Sequence, residues 1–310
     1  MIGEAEKDAP RMVVLAGPNG SGKSTVADGL KQANAFPKLY INADDIARVE
    51  LGGIADPLER NLKAAQLAES RRRAALEEGQ SFAFETVMST PGKLAFLDEA
   101  KAKGFIVDLV FVTTEDAAVN QVRVENRVAK GGHSVPPEKV YERHARAMEL
   151  LPAALLKADT GMVFDNSVDS RAPLLVAAKQ DGKIEFAENA PEWAKTRLVE
   201  PIKAREASRA ELTAAVKSAA PNATVVDADI GGRKTYSGCI VNQSKQHIMQ
   251  RTAGTTDQFV LHDRSLCPAR FFEVGKATAI SYAFGVDGKH QSVKPKSSQK
   301  THQGMKPRPS

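Results

Sequence analysis

The chain has 310 residues, of which 42% are hydrophobic and 26% charged, and its formal net charge is +5. This length and apolar content exclude a disordered protein and are sufficient for two domains with buried cores. The sequence has no apolar run of the roughly 18 residues that a membrane helix needs, and the acidic stretch MIGEAEKDAPR does not resemble a signal peptide. We therefore expect a soluble, cytoplasmic protein that does not contact a membrane.

The positive charge is concentrated at one end of the chain. Six of the 43 Lys and Arg residues lie between Lys289 and Ser310, a segment without acidic residues, so the rest of the chain is close to neutral. The segment has no apolar periodicity, which predicts a disordered basic tail. Its charges leave contact with nucleic acid open, although no aromatic residues are present there to stack on bases.

A phosphate-binding loop follows the first apolar run. From Gly17 the chain reads G-x-x-x-x-G-K-S, between a strand-like segment and a helical pattern. The glycines let successive N–H groups point into one hollow, to which the next helix adds its positive N-terminus. We expect Lys23 to reach the phosphates of ATP and Ser24 to bind Mg²⁺. The predicted nucleotide-binding residues are Gly17, Pro18, Asn19, Gly20, Ser21, Gly22, Lys23, Ser24 and Thr25.

Short apolar runs alternate with helical patterns from residue 11 to about 188. This alternation is typical of an α/β fold, a parallel sheet of the P-loop NTPase type with helices on both faces. A hairpin with Asp181 and Gly182 at its turn is predicted to close the domain. The predicted strands lie at 12–16, 39–42, 80–84, 105–112 and 162–164, and the predicted helices at 24–34, 58–78, 91–103, 115–130 and 137–158.

The pattern changes after residue 190. Residues 191–222 are alanine-rich and predict a helical linker, and residues 223–288 predict five short strands of a small β domain. The predicted division is therefore a P-loop domain at 1–190, the linker, the β domain, and a tail at 289–310. We expect a chain that ends near residue 190 to fold alone.

Polar residues follow the second and third strands. Asp44 and Asp45 lie where a parallel sheet presents its ligands, and a carboxylate there can accept the proton of an attacking hydroxyl. We expect Asp44 to be this base and Asp45 to cap the helix from Ile46, the alternative being that one of the pair is only an N-cap of that helix. Glu85 and Thr86 end the third strand, where Glu85 either pairs with a basic residue or binds ligand hydroxyls. This strand lacks a Walker B aspartate, which favours transfer to a small molecule over hydrolysis.

Two arginine-bearing helices flank the loop GGHSVPP. Arg123 and Arg127 share one face of the first helix, and Arg143 and Arg146 share one face of the second. Guanidinium groups beside a hinged loop can close over phosphates, so we predict a lid in which Arg123 and Arg127 are catalytic. The alternative is a solvated surface with local ion pairs, for example between Glu142 and Arg146.

The segments GPNGSGKST, INADDIA, FETVMS and RVxxRVxxGGHSVP, in this order, resemble the zeta-toxin family of P-loop kinases over residues 11 to about 180. Members of this family resemble phosphotransferases for chloramphenicol and other small molecules. The best-known members phosphorylate the sugar of UDP-N-acetylglucosamine, and some relatives phosphorylate NAD. The resemblance implies a toxin kinase that uses ATP and Mg²⁺, acts on a nucleotide sugar or a dinucleotide, and has an antitoxin protein as partner.

The same resemblance implies roles for residues of the proposed site. The P-loop lysine of the family falls on Lys23 and its catalytic aspartate on Asp44. One substrate-binding glutamate falls on Glu85, which is followed by Thr86, and a second falls on Glu69, on the helix before that strand.

The resemblance also bears on the lid. One lid arginine of the family corresponds to Arg127 or Arg123. The other falls on His133, unless Arg143 or Arg146 takes its place.

The C-terminal strands, which include YSGCIVNQSKQHIMQ, resemble the KfrB domain of plasmid-encoded proteins. The sequence is therefore consistent with two functions of different classes. The first is a small-molecule kinase acting as a toxin. The second is a plasmid-maintenance or conjugation-associated binding protein, in which the nucleotide domain is a switch and the β domain and tail hold DNA or a protein.

Overall fold

The computed structural model describes residues 9–32, 36–130, 132, 134–231, 234–268, 271–285 and 288–290. His133 and residues 291–310 of the predicted basic tail lie outside these ranges, so the predictions made for them stay open. Among the described residues, no helix is long and apolar enough to cross a membrane.

A seven-stranded sheet forms the centre of the first part of the chain. Its strands are β1 (Arg11–Ala16), β2 (Leu39–Ile41), β3 (Phe82–Thr86), β4 (Ile106–Thr113), β5 (Thr160–Asp165), β6 (Leu174–Gln180) and β7 (Lys183–Phe186). They lie in the order β2-β3-β1-β4-β5-β6-β7. The first five in this order are parallel, whereas β6 and β7 are antiparallel and form the predicted hairpin at the β5 edge.

Helices cover both faces of this sheet. They are α1 (Lys23–Gln32), α2 (Ala43–Asp45) with a π-helical continuation (Ile46–Glu50), α3 (Pro57–Glu77), α4 (Pro91–Ala102), α5 (Ala117–Ala129) and α6 (Pro137–Lys157). Because side chains of a strand alternate between faces, Met12 and Val14 of β1 pack in a cluster with Leu97 of α4, whereas Leu15 packs in another with Ala27 of α1. The predicted α/β architecture is confirmed.

The predicted linker is a helix that packs against both sheets. It consists of α7 (Glu192–Ala194), a π-helical segment (Lys195–Val199) and α8 (Glu200–Ala219). Leu198 and Ile202 are buried in the core cluster of the larger sheet. Leu212 and Val216 are buried in a second cluster with Met249 of the smaller sheet. The helix therefore contributes core residues to both parts of the chain.

The C-terminal part contains the five predicted strands. They are β8 (Thr224–Asp227), β9 (Thr235–Gln243), β10 (His247–Thr252), β11 (Gln258–Asp263) and β12 (Ala277–Ser281), in the order β12-β9-β10-β11-β8. All neighbouring pairs are antiparallel except β8 with β11. The prediction of a small second β sheet is confirmed.

Candidate active site

The loop between β1 and α1 has the backbone that a phosphate-binding loop requires. Gly17, Gly20 and Gly22 have φ of +139°, +78° and +91°, a region that side chains with a Cβ atom rarely adopt. A Cβ atom on Gly17 would lie 1.9 Å from the carbonyl oxygen of Val112, and one on Gly20 would lie 2.4 Å from that of Asn120. Glycine is therefore needed here both for conformation and for close packing.

Two asparagines that the sequence analysis did not single out support this loop. The side-chain amide of Asn120, on α5, donates to the carbonyl of Asn19 (2.6 Å), and that of Asn166 donates to the carbonyl of Ser21 (2.8 Å). The signal for Asn166 in the sequence was its position directly after β5, because the carboxyl ends of parallel strands meet at the edge of the sheet where ligands bind. Asn120 gave no such signal, since it lies inside a helix.

Lys23 lies at the centre of a charged group. Its ammonium donates to the loop carbonyls of Gly17 (2.9 Å) and Pro18 (3.0 Å). Burial lowers the pKa of Lys23, the negative charges of Glu85 and Asp44 oppose that shift, and the positive charge of Arg127 adds to it. Three charged residues from separate segments of the sequence, Glu85, Asp44 and Arg127, therefore act on Lys23 in the folded chain.

The end of β3 faces the start of α1. The Oε1 atom of Glu85 accepts hydrogen bonds from the hydroxyls of Tyr40 (2.8 Å) and Ser24 (3.4 Å). Thr86 contacts the loop through its backbone, because its carbonyl accepts a hydrogen bond from the N–H of Gly17. Burial raises the pKa of Tyr40, and the charge and hydrogen bond of Glu85 raise it further, so Tyr40 remains a proton donor. Tyr40 is a further site residue that sequence reasoning missed.

The prediction that Asp45 caps the following helix is wrong. Asn42 is the N-cap of α2, since its side chain accepts a hydrogen bond from the backbone N–H of Asp44 (2.9 Å). The helix begins earlier than predicted, so Asp45 already lies inside its first turn and cannot cap it. Asp45 instead forms an ion pair with Arg48 (2.7 Å).

A cavity of about 550 Å³ opens beside the loop and brings several predicted residues together. Ser24, Asp44 and Arg127 line it, as do Arg48 and Arg60, which the sequence analysis did not single out. Asp45 lines it as well, so the cavity contains two carboxylates, a hydroxyl and three guanidinium groups around one space. Such a set can bind phosphate oxygens and accept a proton.

The other predicted lid arginines do not line this cavity in the described part of the chain. Arg123 forms an ion pair with Asp169. Arg143 donates to the side-chain oxygen of Asn19 in the phosphate-binding loop (3.2 Å). Arg146 pairs with Glu142 (2.5 Å), which is the surface alternative named above. Their lid roles remain predictions.

Thr25 and Glu69 are not among the described residues that line this cavity. Thr25 is exposed in the first turn of α1. Glu69, on α3, pairs with Arg72 (2.5 Å) and Arg73 (3.2 Å) and lines a different cavity. Burial disfavours the charged form of Glu69, but the hydrogen bond and charge of Arg72, with the nearby Lys93 and Arg73, lower its pKa to about 2.

Residues 12–151 match the family model described as an AAA domain. The first part of the chain is a P-loop domain. Residues 235–291 match the model described as the KfrB Domain, so the resemblance drawn from the C-terminal strands is confirmed. The two matches cover the phosphate-binding loop and four of the five strands of the smaller sheet, β9 to β12.

Individual proteins are similar to part of the chain. An uncharacterized protein of Haemophilus influenzae is 26% identical over 134 residues, which are 43% of this chain and 92% of that protein. A chain of the AvrRxo1-ORF1:AvrRxo1-ORF2 complex crystallised with ATP is 18% identical, with a TM-score of 0.49 over 61% of this chain and 64% of its own length. A chain of the PezAT chromosomal toxin-antitoxin system of Streptococcus pneumoniae is 16% identical, with a TM-score of 0.40 over 63% of this chain and 87% of its own.

Proposed function

We propose that this protein is a kinase that transfers the γ-phosphoryl group of ATP to a hydroxyl of a small molecule. The observation that supports the proposal is that Ser24, Asp44 and Arg127 line one cavity beside the phosphate-binding loop. The charges of Asp44 and Arg127 also affect the pKa of Lys23 in that loop. The motif order that resembles the zeta-toxin family suggests a nucleotide sugar such as UDP-N-acetylglucosamine as the acceptor.

The loop residues fit the phosphates of ATP. The three glycines give the backbone its open hollow, and the buried hydroxyl oxygen of Ser21 has no hydrogen-bond partner among the described residues. An unused buried polar atom is costly unless a ligand satisfies it. Lys23, which now binds carbonyls of its own loop, would exchange them for phosphate oxygens.

Mg²⁺ fits the oxygen atoms of Ser24 and Glu85, which lie 3.4 Å apart at the edge of the loop. When bound, the ion would neutralise charge on the β- and γ-phosphates. The protein's own contribution there is to hold these oxygens in place, Glu85 through its hydrogen bond from Tyr40.

The transfer itself needs one base and several positive groups. The acceptor hydroxyl oxygen forms a bond to the γ-phosphorus while the bond from that phosphorus to the bridging oxygen of ADP breaks, and ADP leaves with the electron pair. Asp44 takes the hydroxyl proton, and Lys23 and Arg127 bind the phosphoryl oxygens as charge shifts towards ADP. Each of these roles is assigned to a residue at the cavity or directly beside it.

The test is an acceptor screen on the full chain. We would incubate it with ATP, Mg²⁺ and one candidate each of UDP-N-acetylglucosamine, NAD and chloramphenicol, and measure both ADP release and phosphorylated acceptor by mass spectrometry. We expect acceptor-dependent ADP release with one of these compounds and none with a Lys23→Ala control. ADP release that no acceptor raises above the level of this control would contradict the proposal.

A nucleotide-regulated binding protein of plasmid maintenance is a second candidate, which the match of residues 235–291 to the KfrB Domain favours. It predicts nucleotide binding without acceptor-dependent turnover in the same screen. If the kinase proposal holds, the enzyme consumes a cytoplasmic metabolite of its own host, so we propose an antitoxin protein as its partner.

A further inference from the structure

Asn120, near the start of α5, contacts the phosphate-binding loop through both its side chain and its backbone. The residue is fully buried. Its side-chain amide donates to the carbonyl of Asn19 (2.6 Å), and its own carbonyl oxygen would lie 2.4 Å from a Cβ atom placed on Gly20. The middle of the loop is therefore in direct contact with α5.

A buried partner on each side fixes the orientation of this amide. A carbonyl oxygen only accepts hydrogen bonds, so the nitrogen of the Asn120 side chain must face Asn19. The oxygen of that side chain accepts a hydrogen bond from the hydroxyl of Thr114, which is also fully buried. Because the site needs one donor and one acceptor, a group of the same shape that can only accept leaves the Asn19 carbonyl without its partner.

The second arginine-bearing helix is bound to the same place. Nε2 of His144, on α6, donates to the carbonyl of Thr114 (3.0 Å). The neighbouring Arg143 donates to the side-chain oxygen of Asn19 (3.2 Å). Asn19 is thus held from α5 through its carbonyl and from α6 through its side chain, so the loop and both helices meet in one hydrogen-bond network.

Arg127 lies on the same side of α5 as Asn120. The two residues are seven positions apart, which is close to two helical turns and about 10 Å along the axis. Arg127 lines the cavity with Ser24. Burial lowers the pKa of Lys23, and the charge of Arg127 adds to that shift. One helix therefore contacts the middle of the loop through Asn120 and acts on its last residues through Arg127.

We propose that Asn120 is a positioning residue, which holds the phosphate-binding loop and Arg127 in one fixed arrangement. It acts through other groups rather than on the substrate. Through Asn19 it sets the direction of the backbone N–H groups of the loop, and through α5 it sets the place of the guanidinium group. A displacement of about 1 Å can lower a rate about 10²-fold, so this amide affects both ATP binding and the transfer step. The effect on transfer rests on the proposed kinase function, whereas the effect on ATP binding does not.

The main test replaces the amide by a carboxyl group of the same shape. In Asn120→Asp, an ionised carboxylate presents only acceptor oxygens to the Asn19 carbonyl, whereas the protonated acid has an O–H that donates to it. Asn126→Asp makes the same change at an exposed position of α5 and is the control. The Kd of the full chain for a non-hydrolysable ATP analogue would be measured at pH 8 and pH 5.5, together with kcat for the acceptor found in the screen.

We expect Asn120→Asp to raise this Kd about tenfold at pH 8, because a hydrogen bond is replaced by a repulsive contact. Burial raises the pKa of a carboxyl group, so at pH 5.5 the Kd should return to within about threefold of that of the unaltered chain. The kcat should fall and recover in the same way, and Asn126→Asp should stay within about twofold throughout. A Kd equal to that of the control at pH 8, or a loss that is the same at both pH values, would overturn the inference.

The other ionisable groups near this network do not produce the expected pH dependence. They are His144 and Arg143 of α6, Asp116 at the N-cap of α5 and Arg197 of the π-helical segment before α8. Burial lowers the pKa of His144 and Arg197 adds to the shift, whereas the hydrogen bond to Thr114 and the charge of Asp116 oppose it. All of these groups are present in the unaltered chain and in both variants, so their ionisation cancels when Kd values are compared at one pH.

A second pair of variants keeps the inference testable if Asn120→Asp does not fold. Thr114→Val removes the hydroxyl that orients the amide. Thr113→Val is its control, because that threonine is equally buried and its hydroxyl contacts the sulfur of Met148 instead. We expect Thr114→Val to raise the Kd for the ATP analogue about fivefold and Thr113→Val to change it within about twofold. Equal Kd values for this pair would overturn the inference.

The two measurements separate this inference from the kinase proposal. If binding of the ATP analogue depends on Asn120 as described and no acceptor is phosphorylated, the role of Asn120 in the loop stands and the kinase proposal fails. If an acceptor is phosphorylated and Asn120→Asp behaves like Asn126→Asp, the kinase proposal stands and the inference fails. Absence of binding of the ATP analogue to the unaltered chain overturns both.

Discussion

Asp44 and Asp45 are adjacent carboxylates at one cavity, and their contacts differ. Asp45 forms an ion pair with Arg48, whereas the negative charge of Asp44 raises the pKa of Lys23 against the effect of burial. Neither carboxylate caps the helix, because Asn42 is its N-cap. This difference supports Asp44 rather than Asp45 as the proton acceptor of the proposed reaction. It also makes the two residues matched controls for each other.

Asp44→Asn should lower the rate of phosphoryl transfer by about 10²- to 10⁴-fold, since an amide cannot accept the proton, while ATP affinity and the melting temperature stay nearly constant. Asp45→Asn should keep most of the rate. Single-turnover phosphorylation beside nucleotide titration measures both. An inactive Asp45→Asn with an active Asp44→Asn would instead identify Asp45 as the base.

Arg127 and Arg146 form a second matched pair. Arg127 lines the cavity with Ser24 and Asp44, whereas Arg146 lies in a surface pair with Glu142. Arg127→Ala should lower kcat by about 10³-fold or more, because an arginine that stabilises the transferring phosphoryl acts mainly in the transition state. Arg146→Ala should leave kcat unchanged. Steady-state kinetics with ATP and the acceptor tests this, and a change in KM alone for Arg127→Ala would limit its role to ground-state binding.

At the scale of elements, the smaller sheet encloses a polar network. His262 of β11 contacts the hydroxyl of Tyr282 through Nδ1 (2.9 Å) and the side-chain oxygen of Gln250 through Nε2 (3.1 Å). The ring is fully buried, and burial lowers the pKa of His262 to about 4. The folded protein therefore holds this histidine neutral.

This network predicts a loss of stability in mild acid. Below the ordinary histidine pKa of about 6.5 the unfolded chain takes up a proton at position 262, whereas the folded chain does so only near pH 4. The free energy of unfolding therefore keeps the full contribution of the neutral His262 above pH 6.5. It decreases by up to about 3 kcal/mol as the pH falls to 4. Urea unfolding at pH 7 and pH 4.5 should show a smaller decrease for His262→Gln than for the unaltered chain. Equal decreases would argue against His262 as the cause.

The elements themselves could be predicted from local patterns. The alternation of apolar runs and helical periods identified the larger sheet, and the Asp181-Gly182 turn identified its hairpin, because both depend on neighbouring residues. The support of the loop by Asn120 could not be predicted, since this residue lies inside a helix and about a hundred positions from its partner. Asn166 lies still farther from its partner, and its position directly after β5 was the one signal for it. Asp45 was misassigned because the start of a short helix is set by one hydrogen bond, here that of Asn42.

At the scale of the whole molecule, the two sheets share buried residues. One core cluster contains Val14 and Leu97 of the P-loop domain, Ile202 of α8, and Ile248 and Ile280 of the smaller sheet. The α7 to α8 segment thus covers apolar surface of the P-loop domain as well as connecting it to the β domain. The domain division at residue 190 remains a prediction, and the shared core argues against independent folding of the part before that residue.

A chain that ends at residue 190 should be much less stable than the full chain, contrary to the expectation from sequence. The truncation removes Leu198, Ile202 and the strands of the smaller sheet, and this exposes apolar surface of the P-loop domain. Each fully buried aliphatic side chain contributes roughly 1.5–3 kcal/mol to the free energy of unfolding. A chain that ends at residue 291 keeps the whole shared core and serves as the control. Urea unfolding and size-exclusion chromatography of both chains should show aggregation or a lowered unfolding midpoint only for the shorter one. A shorter chain that is monomeric and unfolds at the same urea concentration as the control would show that the P-loop domain is an independent folding unit.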